Sequence, residues 1–204
     1  MHITIMDTTL RDGEQTSGVS FTASEKLKIA KLLLEDLGID RIEVASARVS
    51  EGEFQGARGI FEWAREHNML EKVEVLGFVD GCESLNWINE AGGKVINLLT
   101  KGSLKHCQHQ LRKTPEQHIE DIRKVVENAT KMDMKVNIYF EDWSNGMRNS
   151  PEYVYQILDA LKDENIEHYM LPDTLGILNH KEVFEHCSDI RKCIPDSSLI
   201  FMHT

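Results

Sequence analysis

Positive charge is in short supply in this chain: 23 lysines and arginines stand against 34 aspartates and glutamates, for a net charge of −11. Such a surface repels polyanions, which argues against a nucleic-acid partner. A small anionic substrate answers to the local field of its pocket and is not excluded. Cysteine is scarce, and Cys82, Cys107, Cys187 and Cys193 form no CxxC spacing, so they read as reduced thiols rather than a disulfide framework. No apolar run approaches the roughly 18 residues of a membrane span. No basic-then-apolar leader opens the chain, and the expectation is a cytoplasmic protein without membrane association. Glycine-rich phosphate loops are missing as well. The residues after the first apolar strand, Met6-Asp7-Thr8-Thr9-Leu10-Arg11-Asp12-Gly13, contain no GxGxxG, which weakens a dinucleotide-binding open sheet.

What is there is a regular alternation of short apolar strands and amphipathic helices. Strands are expected at His2–Met6, Arg41–Ala45, Val73–Phe78, Val95–Leu99, Lys135–Glu141, His168–Leu171 and Leu199–His203. They are continuous Val/Ile/Leu runs rather than strict alternations, the pattern of strands buried on both faces of a parallel sheet. Thr22 and Glu25 form a capping box ahead of the stripe Leu27, Ala30, Leu34 and Leu37. Thr114-Pro115-Glu116-Gln117 opens a helix carrying Ile119, Ile122, Val126 and Ala129, and Ser150-Pro151 opens one carrying Val154, Ile157, Leu158 and Leu161. Further helices are expected over Glu53–His67, Cys82–Ala91 and His180–Lys192. No linker or composition shift interrupts the 204 residues, so one domain is expected.

Strand–helix repetition leaves an open doubly wound sheet or a closed barrel. Chemically capable residues follow nearly every strand: Arg11 and Asp12, Glu43, Tyr139 and Glu141, Asp173 and Thr174, His203. A (β/α)8 TIM barrel collects its functional groups at strand C-termini in this way. The expectation is therefore a TIM barrel, incomplete here, with seven strands and six helices and ending at the seventh strand. Residues 1–204 would be the N-terminal part of the catalytic barrel, with the remaining barrel and any C-terminal domains outside this chain.

Arg11 beside Asp12 at a strand end lets a carboxylate hold a divalent cation while a guanidinium faces the same ligand; a local salt bridge or a cap aspartate gives the same spacing. Glu43, among apolar strand residues, needs a partner if buried, and Arg11 is the candidate. Glu141 ends a strand where burial and nearby charge tune a proton acceptor, although a solvated loop acid reads identically. Thr174 offers a hydroxyl to a carboxylate, whereas Asp173 and Gly176 are expected to shape the turn. His106-Cys107-Gln108-His109 fits no usual zinc spacing, and Met132 and Met134 read as core filler.

Together these segments resemble the DRE-TIM metallolyase family, which includes isopropylmalate, homocitrate and citramalate synthases and, more distantly, HMG-CoA lyase. Asp7-Thr8-Thr9-Leu10-Arg11-Asp12-Gly13-Glu14-Gln15 and Leu171-Pro172-Asp173-Thr174-Leu175-Gly176 carry the likeness, which extends over essentially the whole chain. The resemblance implies that Asp12 is a metal ligand, that Arg11 stabilises developing enolate or alkoxide charge, and that Glu43 completes the family's Asp-Arg-Glu set. His203 would be the first histidine of a His-x-His metal motif. The implied cofactor is a divalent ion (Mn, Zn, Co or Mg), with acetyl-CoA as co-substrate and a homodimer as the assembly of the full-length protein.

Ala45–Ser50, Leu98–Ser103 and Glu141–Gly146 are most similar to the citramalate synthase branch, which joins acetyl-CoA to pyruvate. By that likeness Leu76, Leu99 and Tyr139 line the 2-oxo acid pocket, Thr174 binds the substrate carboxylate, and Glu141 helps deprotonate the acetyl methyl group. Two leucines and a tyrosine would leave little room beyond a methyl, a discrimination of about 1–3 kcal/mol per methylene. Isopropylmalate synthesis from 2-oxoisovalerate, a carbon–carbon lyase of the same superfamily, and a non-catalytic module are the alternatives. Lys101, Lys105, Arg112, Lys113 and Arg148 are candidates for the CoA phosphates, and the chain ending at Thr204 is expected to be inactive alone.

Overall fold

The computed structural model describes residues 3–194 and the backbone of residues 199–203. Two compact units divide the chain. The first comprises Met1–Phe78, Cys82–Asn97 and Met132–Met134; the second comprises Val79–Gly81, Leu98–Lys131 and Lys135–Thr204.

The first unit holds β1 (Met6–Asp7), α1 (Ala23–Lys31), β2 (Arg41–Ser46), α2 (Glu51–Glu66), β3 (Val73–Phe78) and α3 (Glu83–Ala91). β1 pairs with β2 and β2 with β3, all parallel. Every residue of β2 is buried, as expected of a strand covered on both faces. Ile60, Phe61 and Ala64 of α2 and Leu85 and Ile88 of α3 are buried with Ile42, Val44, Val73 and Val75, each large side chain contributing about 1.5–3 kcal/mol. The register slips between Glu43 and Ala45, which oppose Glu74 and Val75, so Val44 is the extra residue of a bulge.

β4 (Val95–Lys101) begins in the first unit and ends in the second. The second unit continues with α4 (Leu104–His106), α5 (Pro115–Lys131), β5 (Lys135–Glu141), α6 (Trp143–Asn149), α7 (Pro151–Leu161), β6 (His168–Pro172), α8 (His180–Arg191) and β7 (Leu199–His203). β5, β6 and β7 pair in parallel, and the seven strands follow one another in the sheet in chain order. Ile122, Val125 and Val126 of α5 and Val154, Ile157 and Leu158 of α7 are buried with Val136, Ile138 and Phe140 of β5. Among the described residues no helix is long and apolar enough to cross a membrane.

Local signals set most boundaries. The Thr22–Glu25 capping box is present, and Thr114 and Gln117 cap α5 reciprocally, at 3.0 and 3.3 Å. Three expectations need correction. β1 is only Met6–Asp7, because the Ile5 amide goes to the Asp40 carboxylate at 2.8 Å instead of a ladder, and Ile3 and Ile5 stay exposed. Leu37 is 70% exposed: the π-helical turn at Leu32–Asp36 rotates the stripe, which closes on Leu33 and Leu34. Ser150-Pro151 opens α7 as expected, although the Ser150 side chain makes no cap and its Oγ accepts from the Leu104 amide at 3.2 Å. Finally, six helices were expected and eight α-helical segments occur among the described residues. The additional α6 has a polar sequence and starts from Asp142 in the left-handed region, φ 63°, so no periodicity announces it. Its seating on the end of β4 needs two glycines. A Cβ on Gly102 would lie 2.7 Å from the Phe140 carbonyl oxygen, and one on Gly146 would collide with the Gly102 carbonyl.

His118 of α5 is wholly buried, and its Nδ1 shares a 2.8 Å hydrogen bond with the Tyr153 hydroxyl. Burial, reinforced by Lys113 and Lys101 and only partly opposed by Asp121, drives its pKa from the ordinary 6.5 to about 4. Between those values the unfolded chain holds more protons, so stability falls as the pH is lowered through the window, by roughly 3 kcal/mol from this group. Urea denaturation at pH 7 and pH 4 is expected to show a smaller acid loss for His118→Gln by about that amount. Equal losses would count against a neutral buried imidazole.

Candidate active site

The first cluster is built by the turn after β1. Three backbone amides, those of Arg11, Asp12 and Gly13, converge on the Thr8 carbonyl at 3.1, 2.8 and 3.2 Å, and the Thr9 amide and hydroxyl both donate to Asp7. Leu10 is completely buried and pins this turn. Arg11 is thereby held with Nε donating to Glu43 of β2 and Nη1 donating to Asp12 at 2.6 Å. Glu43 is fully buried, and its second oxygen accepts from Asn97 Nδ2 at 2.6 Å. Burial raises the Glu43 pKa; the Arg11 charge and the hydrogen bonds from Asn97 and Arg11 oppose the rise without cancelling it, and Glu74 adds to it. Asp12 differs: its side chain is 41% exposed, against 11% for Arg11. One carboxylate is thus locked inside as the partner of the guanidinium, and the other sits where a ligand reaches it.

The second unit holds the other candidates. Glu141, the last residue of β5, is ion-paired with Lys101, the last residue of β4, and its carbonyl accepts from the Gly102 amide at 2.7 Å. Tyr139 is buried and Leu99 half-buried, with the Thr100 hydroxyl donating to the Tyr139 carbonyl at 2.7 Å. Thr174 is exposed after β6, and its hydroxyl accepts from the Asp142 amide at 3.3 Å. Asp173 shapes this turn as expected, accepting from the Ile177 and Leu178 amides at 3.1 and 2.9 Å. Burial pushes its pKa up, but those hydrogen bonds and the Arg148 charge outweigh it and hold the group below its ordinary value. Gly176 takes φ 60°.

The structure therefore brings Arg11, Asp12 and Glu43 together in the first unit, which also contains Leu76, buried on β3. Leu99, Tyr139, Glu141 and Thr174 belong to the second. The backbone of His203 pairs with Pro172, but its side chain lies outside the described residues. Sequence reasoning missed Asn97, a lone amide in an apolar strand, and took Lys101 for a phosphate contact. Lys113 pairs with Asp121 at 2.8 Å, and Arg148 grips Glu182 at 2.9 and 2.8 Å, whereas Lys105 and Arg112 of the proposed phosphate contacts are exposed. Missed as well was a cavity of about 590 Å3 lined by Ser103, His106, Asp142, Asn145 and Thr174 among others. There the buried Asp142 accepts from Ser103 and Asn145, both at 2.7 Å.

A divalent cation fits the first cluster in part. Asp12 offers a half-exposed carboxylate on a rigid turn, the hard oxygen donor such ions take. Among the described residues no three His, Cys, Asp or Glu side chains converge as a metal site. Cys107 of the His106-Cys107-Gln108-His109 stretch is buried, with its thiol pKa raised by burial, and contacts the Lys113 carbonyl at 3.4 Å.

Burial separates the two carboxylates energetically. Removing one partner of a buried pair costs about 3–5 kcal/mol, whereas exposed pairs contribute about 1 kcal/mol or less. Glu43→Gln is expected to lower unfolding free energy into the first range and Asp12→Asn into the second, read from urea denaturation. Equal effects would contradict the buried-pair description.

Comparisons with known proteins bear on the family and the fold. The family model described as HMGL-like matches residues 2–204. A Methanopyrus kandleri protein provisionally named (R)-citramalate synthase CimA is 34% identical over 201 residues, 98% of this chain and 38% of its own length. The 2-isopropylmalate synthase of Acidovorax ebreus is 31% identical over 195 residues, 95% of this chain and 37% of its own length. The chain thus spans under two-fifths of these relatives. The solved structure of the Bacillus subtilis HMG-CoA lyase superposes with a TM-score of 0.75 at 19% identity, covering 97% of this chain and 67% of the lyase, a likeness of fold, which is that of the TIM barrel. A parallel sheet in chain order, an Arg11–Glu43–Asp12 cluster and a family match over nearly every residue lead to one statement: the chain belongs to the HMGL-like family of DRE-TIM proteins.

Proposed function

We propose that the protein takes part in condensing acetyl-CoA with a 2-oxo acid, with pyruvate as the favoured acceptor and citramalate as the product. The observation that carries this reading is the guanidinium of Arg11, oriented by the wholly buried Glu43 and set beside the half-exposed Asp12. Such a group is pre-aimed at developing negative charge and needs no reorganisation during the reaction. Support for the small acceptor comes from the 34% identity to the protein named for citramalate synthesis, and Leu76, Leu99 and Tyr139 are the residues that the resemblance to the family assigns to the acceptor.

In this reading Glu141 accepts a proton from the acetyl methyl group, with Lys101 holding its carboxylate in place. The resulting enolate carbon bonds to the keto carbon, and the electron pair of the carbonyl becomes an alkoxide facing Arg11. Thr174 donates its hydroxyl to the substrate carboxylate. Water then cleaves the thioester, releasing CoA. A divalent cation held by Asp12 and His203 would supply Lewis-acid polarisation of the keto group when bound. Glu43 touches no substrate and acts through Arg11.

A second reading, 2-isopropylmalate synthesis from 2-oxoisovalerate, is favoured by relatives so named, including one from Pyrococcus furiosus at 34% identity over 184 residues. A CoA-release assay with each 2-oxo acid separates the two, with pyruvate expected to give the higher kcat/KM. Release with neither acid from the full-length protein would sink the condensation reading. Arg11→Gln is expected to lower kcat by about 100-fold or more, the effect of losing one pre-organised donor, with a smaller change in the KM for acetyl-CoA.

A further inference from the structure

Lys26 is a buried lysine, 2% exposed, on the inner side of α1. A lysine is almost never fully buried unless it is paired, and this one has four partners from three segments: the turn after β1, β2 and α2. Its ammonium pairs with Glu14 at 2.6 Å and with Glu53 of α2, and donates to the carbonyls of Leu10 at 3.2 Å and Val44 at 3.4 Å. Its stem lies over Gly56, where a Cβ would come within 3.2 Å of Lys26 Cδ.

The choice of carbonyls is informative. Leu10 immediately precedes Arg11, and Val44 immediately follows Glu43. Val44 is also the bulged residue of β2, so its carbonyl is offset from the regular ladder and available to a side chain. Glu14 belongs to the same turn as Asp12, and its other oxygen accepts from the Phe21 amide at 2.8 Å. One ammonium therefore ties together the backbone beside each partner of the Arg11–Glu43 pair, and ties both to the far side of the Asp12 turn.

We infer that Lys26 is a positioning residue for the active site: its ammonium fixes the turn carrying Arg11 and Asp12 against the bulge of β2 that carries Glu43. The inference rests on the condensation reading for its catalytic consequence, and its structural half stands apart from it. Without the ammonium, the Arg11–Glu43 contact would keep its side-chain partners Asp12 and Asn97 but lose the tie between the backbone at Leu10 and at Val44.

The test uses Lys26→Met, which keeps the apolar stem, and Glu14→Gln, which keeps the lysine and removes the turn's own ionic partner. Limited trypsin digestion of the whole protein, followed by mass spectrometry, reads cleavage after Arg11 against cleavage after Lys124 on α5 as an internal reference. Local opening predicts that Lys26→Met speeds cleavage after Arg11 by about tenfold or more while the reference changes little, with Glu14→Gln in the same direction. In the coenzyme-A release assay kcat is expected to fall by about tenfold, with the KM for acetyl-CoA within about threefold of wild type, since an orientation made only in the transition state is lost. Cleavage after Arg11 at the wild-type rate in a folded Lys26→Met protein overturns the inference; should that variant not fold, an unchanged rate in Glu14→Gln overturns it. A wild-type protein that releases no CoA would defeat the condensation reading and leave the proteolysis result to decide the role of Lys26.

Discussion

A carboxylate with no exposure to water governs the first unit. Leaving Glu43 charged and unpaired in the interior would cost several kcal/mol, and the surroundings are arranged to prevent it: Arg11 on one oxygen, Asn97 on the other. Arg11 in turn cannot swing toward solvent without stranding Glu43. The guanidinium is thus directional because its partner is buried. Asp12, beside it, stays partly exposed, so two carboxylates within hydrogen-bonding reach of one arginine differ in their access to water.

The second unit solves a different problem, the close approach of loops at strand ends. Gly102 and Gly146 let α6 settle against the end of β4, and Asp142, in the left-handed region, turns the chain from β5 into that helix. The same crossing brings the Gly102 amide to the Glu141 carbonyl and Lys101 to the Glu141 side chain. Backbone economy at two glycines and the placement of a candidate proton acceptor are therefore one feature. The likeness to HMG-CoA lyase is one of fold, with the strands as its frame.

Much of this was legible from residues. The continuous apolar runs located β3 and β5 to the residue, because a strand covered on both faces has no polar alternation to blur its ends. The capping pairs Thr22–Glu25 and Thr114–Gln117 marked helix starts because a cap is a local hydrogen bond. The Arg11–Glu43 partnership could be anticipated, since a glutamate inside an apolar strand must find a cation. Asn97 escaped notice because an amide in a strand is chemically unremarkable until a carboxylate is found opposite it. Lys26 escaped because, one residue before Leu27 in an amphipathic helix, it reads as an ordinary solvated lysine.

By itself the sequence determined the strand–helix alternation, the family and the residue types at the strand ends, all of which depend on neighbours within a few positions. The tertiary structure alone decided which charges are buried and which are exposed, and so which of them are partners. It placed Lys101 on Glu141 rather than in a free loop, turned Lys26 inward onto Leu10, Val44, Glu14 and Glu53, and separated Glu43 from Asp12 by their access to water. Those outcomes depend on residues 12 to 54 positions apart, as between Glu14 and Lys26 or Glu43 and Asn97, and on a dielectric that only packing creates.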